Sequence, residues 1–180
     1  MESLPPTLKM EVMNHTHGDM IQTLRFFEAR DWNFVWTAIP LMKPIHFTKY
    51  EIIYREGDLS EERKIAFITV YFIMKGVILL ATKDGKPFRK LIAGTHFGEY
   101  TLLRNIAREE NAIAVSQCEL LIMYKQDYAH LIQQFPREGI ELKQEAEEKT
   151  SFLREAQNDI EKSENQAIFK NLLSEAPAWH

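Results

Sequence analysis

Between Leu91 and Ala114 the chain reads LIAGTHFGEYTLLRNIAREENAIA. A strand-like run ends at Gly98, residues 99–108 have helical character, and a second apolar run follows. The first half fits L-x-x-G-x-x-F-G-E. A helix starting at Glu99 or Tyr100 turns its free amides outward with partial positive charge, which makes a seat for an anion. Gly98 lets a ligand approach the backbone closely. Glu99 in the same turn would repel a bare anion, but its carboxylate accepts a hydrogen bond from a hydroxyl carried beside a phosphate. Arg108 supplies a permanent cation that grips phosphate oxygens. Phosphate with a neighbouring hydroxyl describes a ribose phosphate.

Working outward, residues 45–124 consist of short apolar runs separated by turn residues. The runs are IHF, YEIIY, IAFITVYFIM, VILLAT, FRKLIA, NAIAVS and ELLIMY. Between them stand Glu56-Gly57-Asp58, Lys75-Gly76, Lys83-Asp84-Gly85-Lys86 and Ala93-Gly94. Asp-Gly between β-rich runs signals a hairpin, because both residues tolerate the positive φ of a tight turn. Six to eight strands at this spacing predict an antiparallel roll, sandwich or barrel.

Residues 1–44 read helical. Pro5-Pro6 opens a helix where amide donors are not needed. Leu8, Val12, Ile21, Leu24 and Phe27 recur at helical intervals around a break near His17-Gly18-Asp19. Asp31 caps a further helix, to about Leu41, with Phe34, Val35 and Ala38 on one side. Residues 125–180 begin with an amphipathic helix, Gln126 to Phe135, and Pro136 restarts the chain. Dense Glu, Lys, Gln and Ala then predict one or two long helices to about Leu173. Ile140, Phe152, Leu153, Ala156 and Ile160 form a thin stripe expected to pack on the strands. The remainder is a solvated face or a contact with a second copy.

The formal net charge is -4 over 180 residues. Residues 137–180 hold six basic and ten acidic side chains, so the body is neutral and the tail carries all of it. That balance fits a nucleic-acid partner poorly. One cysteine, Cys118, forms no internal disulfide and points to a reducing compartment, and its apolar strand run predicts inert core. No apolar stretch of signal-peptide length stands at the N-terminus. The apolar stretch Ile65 to Ala81 is interrupted by Lys75-Gly76 and rich in β-branched residues, which predicts two buried strands rather than a membrane span. His15 and His17 diverge on a helix, so no metal is expected, and Trp32 and Trp36 are expected to pack. No activated nucleophile is visible. A metal-oxygenase roll would need His-x-His on its strands, so the chain is not expected to be an enzyme.

At these residues the sequence resembles the cyclic nucleotide-binding domain. The family's phosphate cassette reads roughly F-G-E-(I/L)-(A/S)-L-L, followed by R-(T/S)-A. Phe97, Gly98, Glu99, Leu102 and Leu103 match it, and Arg108 falls at the phosphate-binding arginine. Ile53-Tyr54-Arg55-Glu56-Gly57-Asp58 resembles the I-x-x-E-G-D turn, and Tyr71-Phe72-Ile73 with Gly76 the Y-F-I-x-x-G strand. The resemblance implies an α+β fold. An antiparallel eight-stranded, jelly-roll-like β-roll would carry N-terminal helices, a short cassette helix and long C-terminal helices. It implies cAMP or cGMP as ligand, no other cofactor, and contacts from Gly98, Glu99, Tyr100, Thr101, Arg108 and Glu109. Leu4-Pro5-Pro6 and the helical block after it resemble the end of the C-linker of cyclic nucleotide-gated, hyperpolarisation-activated and related potassium channels. The chain would then lie on the cytoplasmic side of a membrane, as part of a channel or related transporter. Its C-terminal helix would swing over the ligand.

Two departures stand out. Thr-Ala after the arginine is Glu109-Glu110 here. A carboxylate about 6 Å from a phosphate costs roughly 2–3 kcal/mol at an effective dielectric near 20, up to about a hundredfold in affinity. Glu109 could instead pair with Arg108. The segment from Leu59 to Val70 is also longer than the family's turn. The alternative to a sensor is therefore a domain whose pocket is filled from within and which serves assembly.

Overall fold

The computed structural model describes residues 5–58 and 69–174. The chain forms α1 (Pro6–Thr23), a 3-10 turn (Arg25–Phe27), α2 (Trp32–Ala38), a second 3-10 turn (Ile39–Leu41), β1 (Lys43–Phe47) and β2 (Ile52–Tyr54). There follow β3 (Thr69–Lys75), β4 (Val77–Ala81), β5 (Pro87–Ile92), β6 (His96–Phe97) and the short α3 (Glu99–Arg104). The chain continues through β7 (Asn111–Ala114), β8 (Cys118–Tyr124), α4 (Lys125–Gln134) and α5 (Pro136–Ser174). The long segment singled out after Asp58 lies outside the described residues, except for Thr69 and Val70.

The strands make two four-stranded antiparallel sheets, ordered β1-β8-β3-β6 and β2-β7-β4-β5, which face each other as an α+β β-roll. β3 and β8 explain their unbroken apolar runs. Successive side chains on a strand point to opposite faces. Tyr71, Ile73, Leu120 and Ile122 fill the roll with Tyr54, Ile78, Leu80 and Phe97. Val70, Phe72, Leu121 and Met123 pack outward against Phe26, Phe34, Val35, Tyr128 and Leu142 of the helices. Both faces of β3 and β8 are therefore buried along most of their length. The Lys75-Gly76 corner carries the chain from one sheet to the other, with Gly76 at φ +99°. Asp84-Gly85 turns β4 into β5 as expected. Cys118 is buried beside Gly76.

α1 is kinked at His17, and Leu8 and Val12 before the kink are exposed, whereas Leu24 and Phe27 are core. Asp31 caps α2 through the Asn33 amide, and Phe34, Val35 and Ala38 are buried. Trp32 and Trp36, expected to pack, lie at the surface and are 40% and 37% exposed. α3 is shorter than the helix read over 99–108. Asn105 takes a left-handed conformation, and the last amide turns back to Leu102 and Thr101. Arg108 is thereby released from the helix.

α5 is one continuous helix of 39 residues. Its inner face is Glu138, Leu142, Ala146 and Thr150, four residues apart, followed by the half-buried Leu153. Ile140 and Phe152, expected in the stripe, are 68% and 70% exposed. Leu153, Ala156 and Ile160 of that stripe are half-buried, so the apolar reading caught the later part of the face and missed its first turns, which small and polar residues mostly line.

Candidate functional site

The site forms where β6 turns into α3 beneath α5. Gly98 sits at φ +87°, a conformation that favours glycine. A Cβ there would stand 2.6 Å from Arg108 Nη1, so the space left by the missing side chain is taken by the Arg108 guanidinium. Arg108 is 1% exposed. Its Nη1 donates to the Gly98 carbonyl at 2.6 Å and to Thr101 Oγ1 at 2.9 Å, and Nη2 donates to the Thr69 carbonyl at 2.8 Å. The guanidinium also lies over the Tyr54 ring, 4.5 Å from its centroid. These contacts join β2, β3, α3 and the segment before β7 at one charge.

The Glu56-Gly57 turn holds the Arg108 backbone in place. Gly57 N donates to the Arg108 carbonyl at 2.8 Å, and Glu56 N donates to Asn111 Oδ1 at 2.8 Å. Glu110 accepts a hydrogen bond from the Tyr54 hydroxyl at 2.7 Å. Burial raises the pKa of Glu110, opposed by that hydrogen bond and by Arg108. Burial and the Glu110 charge push the Tyr54 phenol well above its ordinary range.

Glu99 is 2% exposed and forms an ion pair with Lys149 of α5. His96 Nε2 stands 3.5 Å from the same carboxylate oxygen. Burial alone would raise the Glu99 pKa, but Lys149 and His96 outweigh it and hold the carboxylate below its usual value. Lys149 Nζ also donates to the His96 carbonyl at 2.7 Å. Burial, then the Lys149 charge, lowers the His96 pKa to about 4.

Glu109 does not pair with Arg108 in the way one sequence alternative had it. Its oxygens accept from Arg154 Nη2 at 2.7 Å and Nε at 3.3 Å, a two-pronged pair with α5. Arg154 also lies over the Tyr100 ring at 5.2 Å. The space enclosed among Gly98, Glu99, Tyr100, Thr101, Glu109 and α5 is a cavity of about 40 Å³.

All six residues singled out in the sequence therefore converge. Lys149, Arg154, His96, Thr69 and Glu110 were not assigned to the site. Lys149 and Arg154 carry no sequence signal that sets them apart from the other charges of a Glu/Lys-rich helix. Tyr54 did, through its place beside the Glu-Gly-Asp turn.

The family model for the cyclic nucleotide-binding domain matches residues 44–135, just over half of the chain. The chain belongs to the cyclic nucleotide-binding domain family. The match takes in the roll, α3 and α4, and leaves α1, α2 and α5 outside it. The domain is 27% identical over 129 residues to the Mus musculus potassium/sodium hyperpolarization-activated cyclic nucleotide-gated channel 2, covering 72% of this chain and 14% of that protein. It is 26% identical over 133 residues to the Homo sapiens channel 4 of the same name, covering 74% of this chain and 10% of that protein. The domain thus spans only a small share of these relatives. Among solved structures, the C-linker/CNBHD of zELK channels, crystallized in the presence of cAMP, aligns with a TM-score of 0.60 at 18% identity. That alignment covers 82% of this chain and 71% of the other. The Thermus thermophilus catabolite activator protein aligns with a TM-score of 0.58 at 26% identity, covering 77% of this chain and 62% of its own.

Proposed function

We propose that this domain is a regulatory module of a membrane ion channel or related transporter, on the cytoplasmic side, that couples binding of cAMP or cGMP to movement of α5. The observation that carries this reading is the roofing of the cassette by α5. Glu99 and Glu109 of the site are tied to Lys149 and Arg154 of that helix, so the site cannot fill without the helix responding. Arg108 would supply the positive charge for the cyclic phosphate, with Gly98, Tyr100 and Thr101 around it. Glu99 would accept the ribose hydroxyl. Glu109 would meet the phosphate only if it were left unpaired. The kinship with channels supports the setting, and the helical block before the roll would be the end of a C-linker. The module acts by binding, with no catalytic role.

A second reading, a non-binding domain serving assembly, draws on the cavity of about 40 Å³. Ligand pockets run to about 300–1,000 Å³, so α5 must give way before a purine nucleotide fits. Calorimetric titration with cAMP and cGMP separates the two. The sensor predicts saturable heat with one of them, lost in Arg108→Ala. Because Arg108 also joins four segments of the fold, the melting curve of that variant is recorded and Glu99→Gln is titrated beside it. No heat from either nucleotide at millimolar concentration, in the wild type and in Lys149→Met, overturns binding and leaves the assembly reading.

A further inference from the structure

We propose that Lys149 is a tethered competitor of nucleotide: its ammonium occupies the Glu99 carboxylate that a ribose hydroxyl would take, and ligand binds by displacing it. The inference rests on the sensor reading of Glu99 and adds what regulates that site. Three observations carry it.

First, Glu99 is almost wholly buried, and a buried carboxylate needs a partner in every state of the protein. Lys149 supplies that partner while the site is closed. A ligand hydroxyl is the only other kind of group that the sensor reading brings to Glu99. Second, the ammonium is held by two fixed acceptors, the Glu99 carboxylate and the His96 carbonyl, the latter at 2.7 Å. It is therefore placed, not merely nearby. Third, Lys149 has somewhere to go. It lines the closed cavity and also a wider groove of about 630 Å³ on the flank of α5, which Glu145 and Glu148 line as well. A long, flexible side chain that borders both spaces can exchange between them.

Arg154 acts with the opposite sign. Glu109 replaces the family's threonine beside the phosphate-binding arginine, and unpaired it would repel a phosphate. The two-pronged bond from Arg154 neutralises it only while α5 stays down. α5 therefore both opposes the ribose, through Lys149, and removes the repulsion on the phosphate, through Arg154.

The test compares cAMP with 2′-deoxy-cAMP in wild type, Lys149→Met and Lys149→Gln. In wild type, the hydroxyl gains little because it must displace an ammonium. In Lys149→Met, cAMP should bind at least tenfold more tightly, and its preference over the 2′-deoxy compound should widen by a similar factor. Lys149→Gln, whose amide still donates, should fall between. A preference unchanged by Lys149→Met overturns the competitor while leaving the sensor standing. If no protein binds either nucleotide, the sensor reading falls. Amide hydrogen exchange of residues 145–157 in the nucleotide-free proteins then decides the tether. At least tenfold faster exchange in Lys149→Met upholds Lys149 as the tie on α5, and unchanged exchange removes it.

Discussion

At the scale of single residues, one glycine and one arginine were legible, and their relation was not. The motif marked Gly98 and Arg108 as ligand contacts, each on its own. The structure shows that the positive φ and missing side chain of Gly98 also make room for the Arg108 guanidinium. Lys149 was unreadable because it lies fifty residues beyond Glu99 in a helix full of similar charges, and only tertiary packing selects it. His96 is a residue whose environment makes a measurable claim. Its folded pKa is about 4, against an ordinary value near 6.5, because burial and the Lys149 charge oppose protonation. Between those two values the unfolded chain holds a proton that the folded chain does not, so stability falls as pH falls. The expected slope is about 1.4 kcal/mol per pH unit from this group. Urea unfolding at pH 6.0 and 5.0 should show it, and His96→Gln should lose most of that slope.

At the scale of elements, strands were legible and helix faces were less so. Unbroken apolar runs became β3 and β8 because both of their faces are buried, one in the roll and one under the helices. α5 was read as helix correctly, but of the stripe assigned to its buried side Ile140 and Phe152 face outward, while Leu153, Ala156 and Ile160 are half-buried. The true inner face carries Ala146 and Thr150, residues that mark no side of a helix by composition. Near its start Gly139 packs so closely on α4 that an added Cβ would collide with the Ile132 carbonyl. Backbone cannot yield there without separating the two helices. Gly139→Ala should therefore destabilise the domain by roughly 1–3 kcal/mol, as overpacking does. Thermal melting checks the loss, and faster amide exchange should begin at the α4–α5 junction rather than in the roll.

At the scale of the whole molecule, the charge count takes on a different meaning. The net charge of -4 resides in the C-terminal block, which read as a solvated face. Much of that face is engaged. Arg30 donates to Glu141 and Glu145 at 2.5 and 2.6 Å, Arg104 pairs with Glu147, and Lys86 pairs with Glu164. With Lys149 and Arg154 reaching the other way, α5 is held between residues 141 and 164 by pairs of both polarities. Most of these are partly exposed, so salt screens them, while the buried Glu99 contact is screened far less. Raising salt from 0.05 to 0.5 M should speed amide exchange in residues 153–164 by severalfold and leave β3 and β8 unchanged. The topology has a consequence in time as well as in space. β1 pairs with β8, so residues 43–47 have, among the described residues, no strand partner until residues 118–124 exist. On the ribosome the first strand must wait for the last, and a chain halted before Cys118 carries two open edges, on β1 and β3, toward its neighbours. Emergence of β8, and not the order of the elements along the chain, sets the moment at which this roll can close.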